Sequence, residues 1–291
     1  MEGCFVNLGA VLIFALAAPA PVPKSTPAPL RVRAAHAPDP CGERDSGLLA
    51  TLDRPTIGYS SCAVKPKNTV IELGYSEETV SSAAPAANAT YPQGFLRYGL
   101  RPNVELDFIG PAYGVTRLGA TTTRGWFDSG VGAKFELAHN ARSALAVDLL
   151  YTAPTGDRTF TLGAPSETVN FDASLALSPA VGVATTIGVT STAGKSLNGN
   201  SARFDALLPS VVVTDEFDPR TQLYLEAYGT TELRPDGGSR FALDGGVQYL
   251  LTPSFEVDLE AGRTVTDLTR SDYVGFGFGI RLAPRDRPRR Y

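Results

Sequence analysis

The stretch Tyr273-Val274-Gly275-Phe276-Gly277-Phe278-Gly279-Ile280-Arg281-Leu282 decides the fold. Val274, Phe276, Phe278, Ile280 and Leu282 share one parity; Tyr273, Gly275, Gly277, Gly279 and Arg281 share the other. Successive side chains of a β-strand point to opposite faces, so one face here is wholly apolar and the other is mostly glycine. Working back along the chain, the same period returns. Phe255, Val257 and Leu259 alternate with Glu256, Asp258 and Glu260, and the run from Phe241 to Leu251 opposes Asp244 and Gln248. Val169, Phe171, Leu175 and Leu177 oppose Asn170 and Asp172; Leu145, Val147, Leu149 and Tyr151 oppose Asp148. Val131, Ala133, Phe135 and Leu137 oppose Lys134 and Glu136; Val104, Leu106 and Phe108 oppose Glu105 and Asp107. Further strands are expected at about 69–75, 93–100, 180–190, 203–213 and 221–229. In the run at 203–213, Pro209 would remove a ladder donor, which predicts a bulge or kink.

Two features separate a membrane barrel from a soluble sandwich. The apolar parity of the assigned strands carries no Asp, Glu, Lys or Arg, while the other parity is rich in Gly, Asp and Glu and poor in Lys. The connections also alternate in length. Short links fall at Arg101-Pro102, His139-Asn140, Ser178-Pro179 and Thr252-Pro253, with a slightly longer one from Asp215 to Arg220. Long links fall near residues 76–91, 110–126, 152–167, 191–202, 230–239 and 263–272. Outer-membrane barrels pair short periplasmic turns with long outer loops. The reading is therefore an all-β protein, an antiparallel transmembrane β-barrel of about twelve strands over 68–282, with both ends on the short-turn side. A mean hydropathy of -0.03 does not oppose it, because alternating faces cancel in the average. Tyr75, Phe108, Phe127, Tyr151 and Phe241 are expected in the lipid phase near the long links, with Trp126 beside them. Tyr98, Tyr249 and Phe255 are expected in that phase near the short turns, completing two interfacial girdles.

The region before the barrel reads as an export apparatus. Phe5 to Ala18 is apolar, and Ala15-Leu16-Ala17 is an A-x-A cleavage signal, giving a signal peptide over 1–17, although no Lys or Arg precedes it. Pro and Ala dominate the following stretch, a spacer over 18–40. Residues 41–67 form a periplasmic segment in which Ser46 can cap a short helix that Pro55 stops, and export makes a Cys41–Cys62 disulfide plausible. An Arg-rich tail occupies 283–291.

The net charge of -4 argues against nucleic acid as a partner. The two histidines, His36 and His139, fall in the spacer and in a turn, away from any nucleophile, so no catalytic residue, cofactor or metal site is expected. The informative set is the lumen parity: Glu72, Arg97, Glu105, Asp107, Lys134, Glu136, Asp148, Asp172, Tyr224, Glu226, Tyr228, Arg240, Asp244, Glu256, Asp258, Glu260 and Arg281. Counting outward from the short turns places Arg97 opposite Glu105, Asp244 opposite Glu260 and Gln248 opposite Glu256. These charges either brace the wall as a paired network or give a water-filled passage a cation preference.

A family resemblance rests on several motifs in order. These are Ser46-Gly47-Leu48-Leu49-Ala50 with Asp53-Arg54-Pro55-Thr56, and Tyr91-Pro92-Gln93 with Leu96-Arg97-Tyr98-Gly99. Asp244-Gly245-Gly246-Val247-Gln248-Tyr249-Leu250-Leu251-Thr252-Pro253, Glu256-Val257-Asp258 and Tyr273-Val274-Gly275-Phe276-Gly277 continue the series. Together they resemble a bacterial outer-membrane "transporter" family associated with phenol and aromatic-compound degradation, over roughly 41–282. The resemblance implies an outer-membrane protein in contact with lipid, handled by the barrel-assembly machinery, that passes small solutes, hydrophobic or aromatic ones included. The alternatives are a closed structural or surface-display barrel and, further off, an enzyme in the wall. The tail beyond Leu282 departs from barrels that stop at the last strand.

Overall fold

The computed structural model describes residues 40–41, 47–81, 85–195, 201–232, 239–266 and 270–283. The expected signal peptide, the spacer apart from Pro40, Ser46, His36 and the tail beyond Ala283 lie outside these residues. One helix, α1 Leu48–Thr51, precedes β1 Thr69–Ser81, β2 Ala86–Arg101, β3 Val104–Ile109, β4 Tyr113–Leu118, β5 Thr121–Trp126, β6 Ser129–His139 and β7 Ser143–Ala153. β8 Ser166–Ala176, β9 Val181–Lys195, β10 Ser201–Asp218, β11 Thr221–Glu232, β12 Ser239–Thr252, β13 Phe255–Thr266 and β14 Arg270–Leu282 follow.

Each wall strand pairs antiparallel with its neighbours in the order β1-β14-β13-β12-β11-β10-β9-β8-β7-β6-β3-β2, and β2 pairs back onto β1. The result is a closed barrel of twelve strands. The seam β1–β14 is in register from Thr69↔Leu282 to Ser81↔Arg270. Closure leaves the wall no free edge, which a bilayer requires because nothing there can satisfy one. β4 and β5 stand outside the ring. The link 110–126, expected as a loop, is a hairpin, because β2 is longer than the membrane needs. Its 16 residues span roughly 50 Å against an apolar band of about 25 Å. β3 takes its lower half (Phe95↔Ile109 to Arg101↔Val104) and β4 its upper half (Ala86↔Leu118 to Tyr91↔Tyr113). The short turns lie within a residue or two of their expected places. The Asp215–Arg220 link is shorter than expected, because the Asp218 carboxylate accepts from Arg220 N (2.7 Å) and Thr221 N (3.0 Å) and closes it at Pro219-Arg220.

The cross-strand pairs differ from the expected ones by two residues. Arg97 faces Asp107 and Gly99 faces Glu105; Asp244 faces Gly262 and Gln248 faces Asp258. The turns are Pro102-Asn103 and Pro253-Ser254 rather than centred on Arg101 and Thr252, which moves each register by three residues. The bulge beside each turn, at Gly99/Arg101 and at Leu250/Thr252, takes one back. A shift of two keeps every side chain on its face, so the lumen and lipid sides survive the error. Pro209 makes no bulge. It stays in register with Ile187, and the β10–β11 ladder merely skips from Leu207↔Thr231 to Ser210↔Tyr228 with its offset unchanged.

The burial is inverted relative to a soluble protein. Leu225 is 71% exposed, Leu259 59% and Phe276 55%, whereas Arg97, Glu105 and Lys134 are fully buried. Apolar groups on the outside and charges on the inside identify lipid as the solvent of the outer face. On the long-link side an aromatic chain runs Phe276–Tyr75–Tyr91–Tyr113–Trp126, with successive ring centroids 5.3, 6.0, 5.7 and 5.0 Å apart. Phe127 is not part of this belt. It follows outward-facing Trp126, turns inward by the strand alternation, and packs on Phe160 at 5.0 Å.

Candidate functional site

The segment Gly47–Asn68, expected beneath the barrel, lies inside it as a plug. An eight-stranded barrel is just filled by its own side chains; twelve strands leave space that must be filled or wet. The plug enters at the short-turn end. There Leu48, Leu52 and Val64 pack with Val70 and Leu250 of the wall, and Cys41 is joined to Cys62 by a disulfide. Gly47 rather than a side chain occupies the N-cap of α1, with φ 61°. The chain then rises to Thr56–Ile57 and returns past Gly99, where a Cβ would come within 2.1 Å of the Lys65 carbonyl oxygen.

Beyond α1 the plug has little regular structure, so its backbone donors need other partners. The wall carboxylates supply them. Glu72 Oε2 accepts from Asp53 N (3.0 Å) and Arg54 N (2.7 Å), and Glu226 accepts from Ile57 N (2.8 Å) and Gly58 N (2.7 Å). Glu136 accepts from Ala63 N (3.2 Å), Glu105 from Val64 N (2.5 Å), and the Thr186 hydroxyl oxygen from Tyr59 N (2.9 Å). Hydrogen bonds to an ionised acceptor are about twice as strong as neutral ones, so this cradle suits an irregular backbone.

Charge completes the seat. Arg97 Nη2 meets Glu105 at 2.8 Å, and its Nη1 meets Glu72 at 3.0 Å and Asp53 of the plug at 3.2 Å. Lys134 Nζ lies 3.2 Å from Asp53 and 3.8 Å from Glu105 and Asp148, and donates to Ser60 O at 2.6 Å. Arg54 reaches β13 and β2, 3.1 Å from Asp258, 3.6 Å from Glu260 and 3.0 Å from Gln93. Burial works against the charged guanidinium of Arg54, but Asp258 and Glu260 outweigh it and hold its pKa above the usual value. Burial, aided by Asp53, pushes the Tyr59 phenol well above its usual value. The glycine face of β14 makes room for the plug: a Cβ on Gly277 would fall 2.5 Å from Arg54 Nε, and one on Gly279 the same distance from Leu52 Cδ2.

Most sequence-derived lumen residues therefore meet around the plug. Asp148 and Asp172 continue the charged side along β7 and β8, and Thr186 donates to Asp172 at 2.6 Å. Tyr228 donates to Tyr273 at 3.3 Å, and Tyr273 donates to Asp244. Tyr224 and Glu256 are buried in the same wall. Two residues stand apart: Arg281 donates to Pro253 O at 3.0 Å at a short turn, and Arg240 is exposed near the far end of β12. The acidic stripe, for which bracing the wall and lining a passage were both expected readings, has Arg54 of the plug against it at Asp258 and Glu260. Thr186 and Ser210 were not singled out from the sequence, and Asp53, Arg54 and Gln93 were noted only within family motifs, not as lumen residues. The signal for Asp53 and Arg54 was the surplus of lumen acid over base, which calls for a donor from elsewhere. Ligand-type atoms of Cys41, Glu136 and His139 lie within 4.8 Å of one another, but the Cys41 sulfur is committed to the disulfide.

Above the plug a vestibule of 740 Å³ opens toward the long links, walled by Ile57, Phe95, Phe127, Leu208, Tyr228 and Tyr273 among others. Below it, against β8–β10, lies a cavity of 120 Å³. Residues 52–282 match the family described as "Putative MetA-pathway of phenol degradation". The chain belongs to this family. No curated protein matches it by sequence. Among solved structures, it is similar to an outer-membrane channel from Pseudomonas putida F1, with a TM-score of 0.62 and 16% identity over 78% of this chain and 100% of that one. It is also similar to the NanC porin, with a TM-score of 0.53 and 9% identity over 72% of this chain and all of that one. At such identities the likeness establishes the fold, an outer-membrane barrel. The family match begins at Leu52, so it takes in most of the plug as well as the wall.

Proposed function

We propose that the protein is an outer-membrane channel for the passive passage of small solutes, with aromatic or amphipathic molecules among them. The observation that carries this reading is the 740 Å³ vestibule. It sets the rings of Phe95, Phe127, Tyr228 and Tyr273 beside polar and charged groups such as Gln93, Asn170 and Glu260, a mixed surface able to hold a small organic molecule. A purely structural barrel has no need of such a chamber above its plug. Phenolic Tyr228 and Tyr273 offer both a ring and a hydroxyl to a solute. The family's description, with phenol degradation in it, and the channel among the similar structures agree with this reading. The test is swelling of proteoliposomes containing the purified protein in isotonic arabinose. Swelling faster than in protein-free liposomes is expected; rates equal to the protein-free control would favour the closed structural barrel.

A further inference from the structure

The vestibule and the lower cavity nearly meet. Arg54, Thr56, Tyr59, Thr186 and Ser210 line both. What parts them is the crest of the plug pressed onto the β9–β10 wall. The closeness of that contact is plain at Gly58, where an added Cβ would fall 2.4 Å from Ser210 Oγ and 3.2 Å from Ser210 Cβ.

The plug is held unequally on its two sides. Toward β1–β7 it is fixed by Arg97, Lys134, Glu72 and Glu105 against Asp53 and the backbone, and toward β13 by Arg54. Toward β9–β11 it is held by the Glu226 carboxylate on two N–H groups and by the Thr186 hydroxyl on a third. The base adds the charge–charge contacts of Arg97, Lys134 and Arg54 to its hydrogen bonds, whereas the crest is held by three hydrogen bonds, two of them to a carboxylate, so the crest is the more weakly held end. The crest can therefore yield while the ion-paired base stays.

Resting on the channel reading above, we propose that solute crosses the barrel along the β8–β10 wall, through a gate formed by Thr56–Tyr59 against Thr186 and Ser210, and that this gate favours uncharged solutes. The lining of the lower cavity supports the solute class. Ser174, Ser178, Thr185, Thr214, Gln222 and Gln248 offer hydroxyls and amides there, and Arg54 and Glu216 are its only charged members among the described residues. An ion in the lower cavity would find no fixed counter-charge along most of the lining, and the two carboxylates beside the gate, Glu226 and Asp172, are already bonded to Ser210, Thr186 and the crest N–H groups. A neutral hydroxylated solute would find donors and acceptors throughout the cavity. The 120 Å³ volume is close to the ~150 Å³ cavity that holds benzene in an engineered protein, which sets the scale at a one-ring solute. Asp258 and Glu260 of the acidic stripe are paired with Arg54, and the stripe stands on β12 and β13, off the β8–β10 route below the gate.

The experiment locks the gate. The Gly58–Ser210 spacing is near the Cβ–Cβ distance of about 3.5–4.5 Å that a disulfide needs. The double variant Gly58→Cys/Ser210→Cys is oxidised, pairing is verified by unreduced peptide mass, and swelling in arabinose is measured before and after reduction. Oxidation is expected to lower the rate at least fivefold and reduction to restore it, which also shows that the variant is folded. Wild type and the two single variants, with and without reductant, account for any effect of opening Cys41–Cys62. A second variant, Glu226→Gln, weakens the seat and should raise the rate about twofold or more. In wild type, arabinose should enter faster than gluconate and faster than lysine cation. A cross-linked protein as permeable as its reduced form, failure of the thiols to pair, or faster entry of either ion would overturn the gate. Absence of swelling in wild type would instead overturn the channel reading on which it rests.

Discussion

The two sides of the barrel interior follow different chemistries. From β1 to β7 the wall presents Glu72, Arg97, Glu105, Lys134 and Asp148, all within 1% of full burial, locked to one another and to Asp53. From β8 to β10 it presents Ser174, Ala184, Thr186, Ser210 and Thr214, mostly small and uncharged, beside open volume, with the Asp172 carboxylate behind Thr186. One side is a fixed anchor because each charge there depends on the others. The other leaves space because it asks little of its partner. An insert so held is rigid where charge surrounds it and yielding where hydroxyls do.

The comparison can be broken at its strongest point. Arg97→Met would leave Glu72, Glu105 and Asp53 facing one another without their shared cation, at a cost of about 3–5 kcal/mol. The urea midpoint of the detergent-solubilised barrel should fall accordingly, and a variant unfolding with wild type would mean that the cluster is no anchor. Next in size is the tether. Cys41→Ser/Cys62→Ser opens a loop with a sequence separation of 21, worth about 3 kcal/mol on the chain-entropy estimate. Faster proteolysis within 47–68 is expected, with heat-induced gel mobility of the barrel unaltered. The smallest effect lies on the neutral side. Thr186→Val removes the acceptor of Tyr59 N–H and should cost about 1 kcal/mol. Amide exchange measured by mass spectrometry should quicken at 56–60 and not at Asp53 and Arg54. Uniform quickening across the plug would erase the distinction between the sides.

The wall was legible in the sequence and its contents were not, for a physical reason. The alternation of Phe276 and Gly277, or of Val257 and Asp258, is written in neighbouring residues, and lipid on one side enforces it strand after strand. Registers slipped by two at Arg97 and Asp244 because Arg101-Pro102 and Thr252-Pro253 do not show that the chain turns one residue later, and the bulge that takes one residue back leaves no clear mark in residue type. The plug is held by contacts of long sequence separation, such as Ile57 with Glu226 and Arg54 with Asp258, and no local pattern records them. The glycines of β14 carried half of that message. Their small size asked for a neighbour, which proves to be Arg54 and Leu52. The carboxylates Glu72 and Glu226 carried the other half, since buried acids need donors, and here the donors are backbone amides.

The insert begins at Cys41 near His139 and returns at Asn68, directly below Gly99, so both of its ends leave through the same mouth. It is a bight pushed into a ring, not a thread drawn through one. The β1–β14 seam can zip before or after the bight is seated. Topology therefore imposes no order on assembly, and the insert can be lifted and reseated without unzipping a single strand pair.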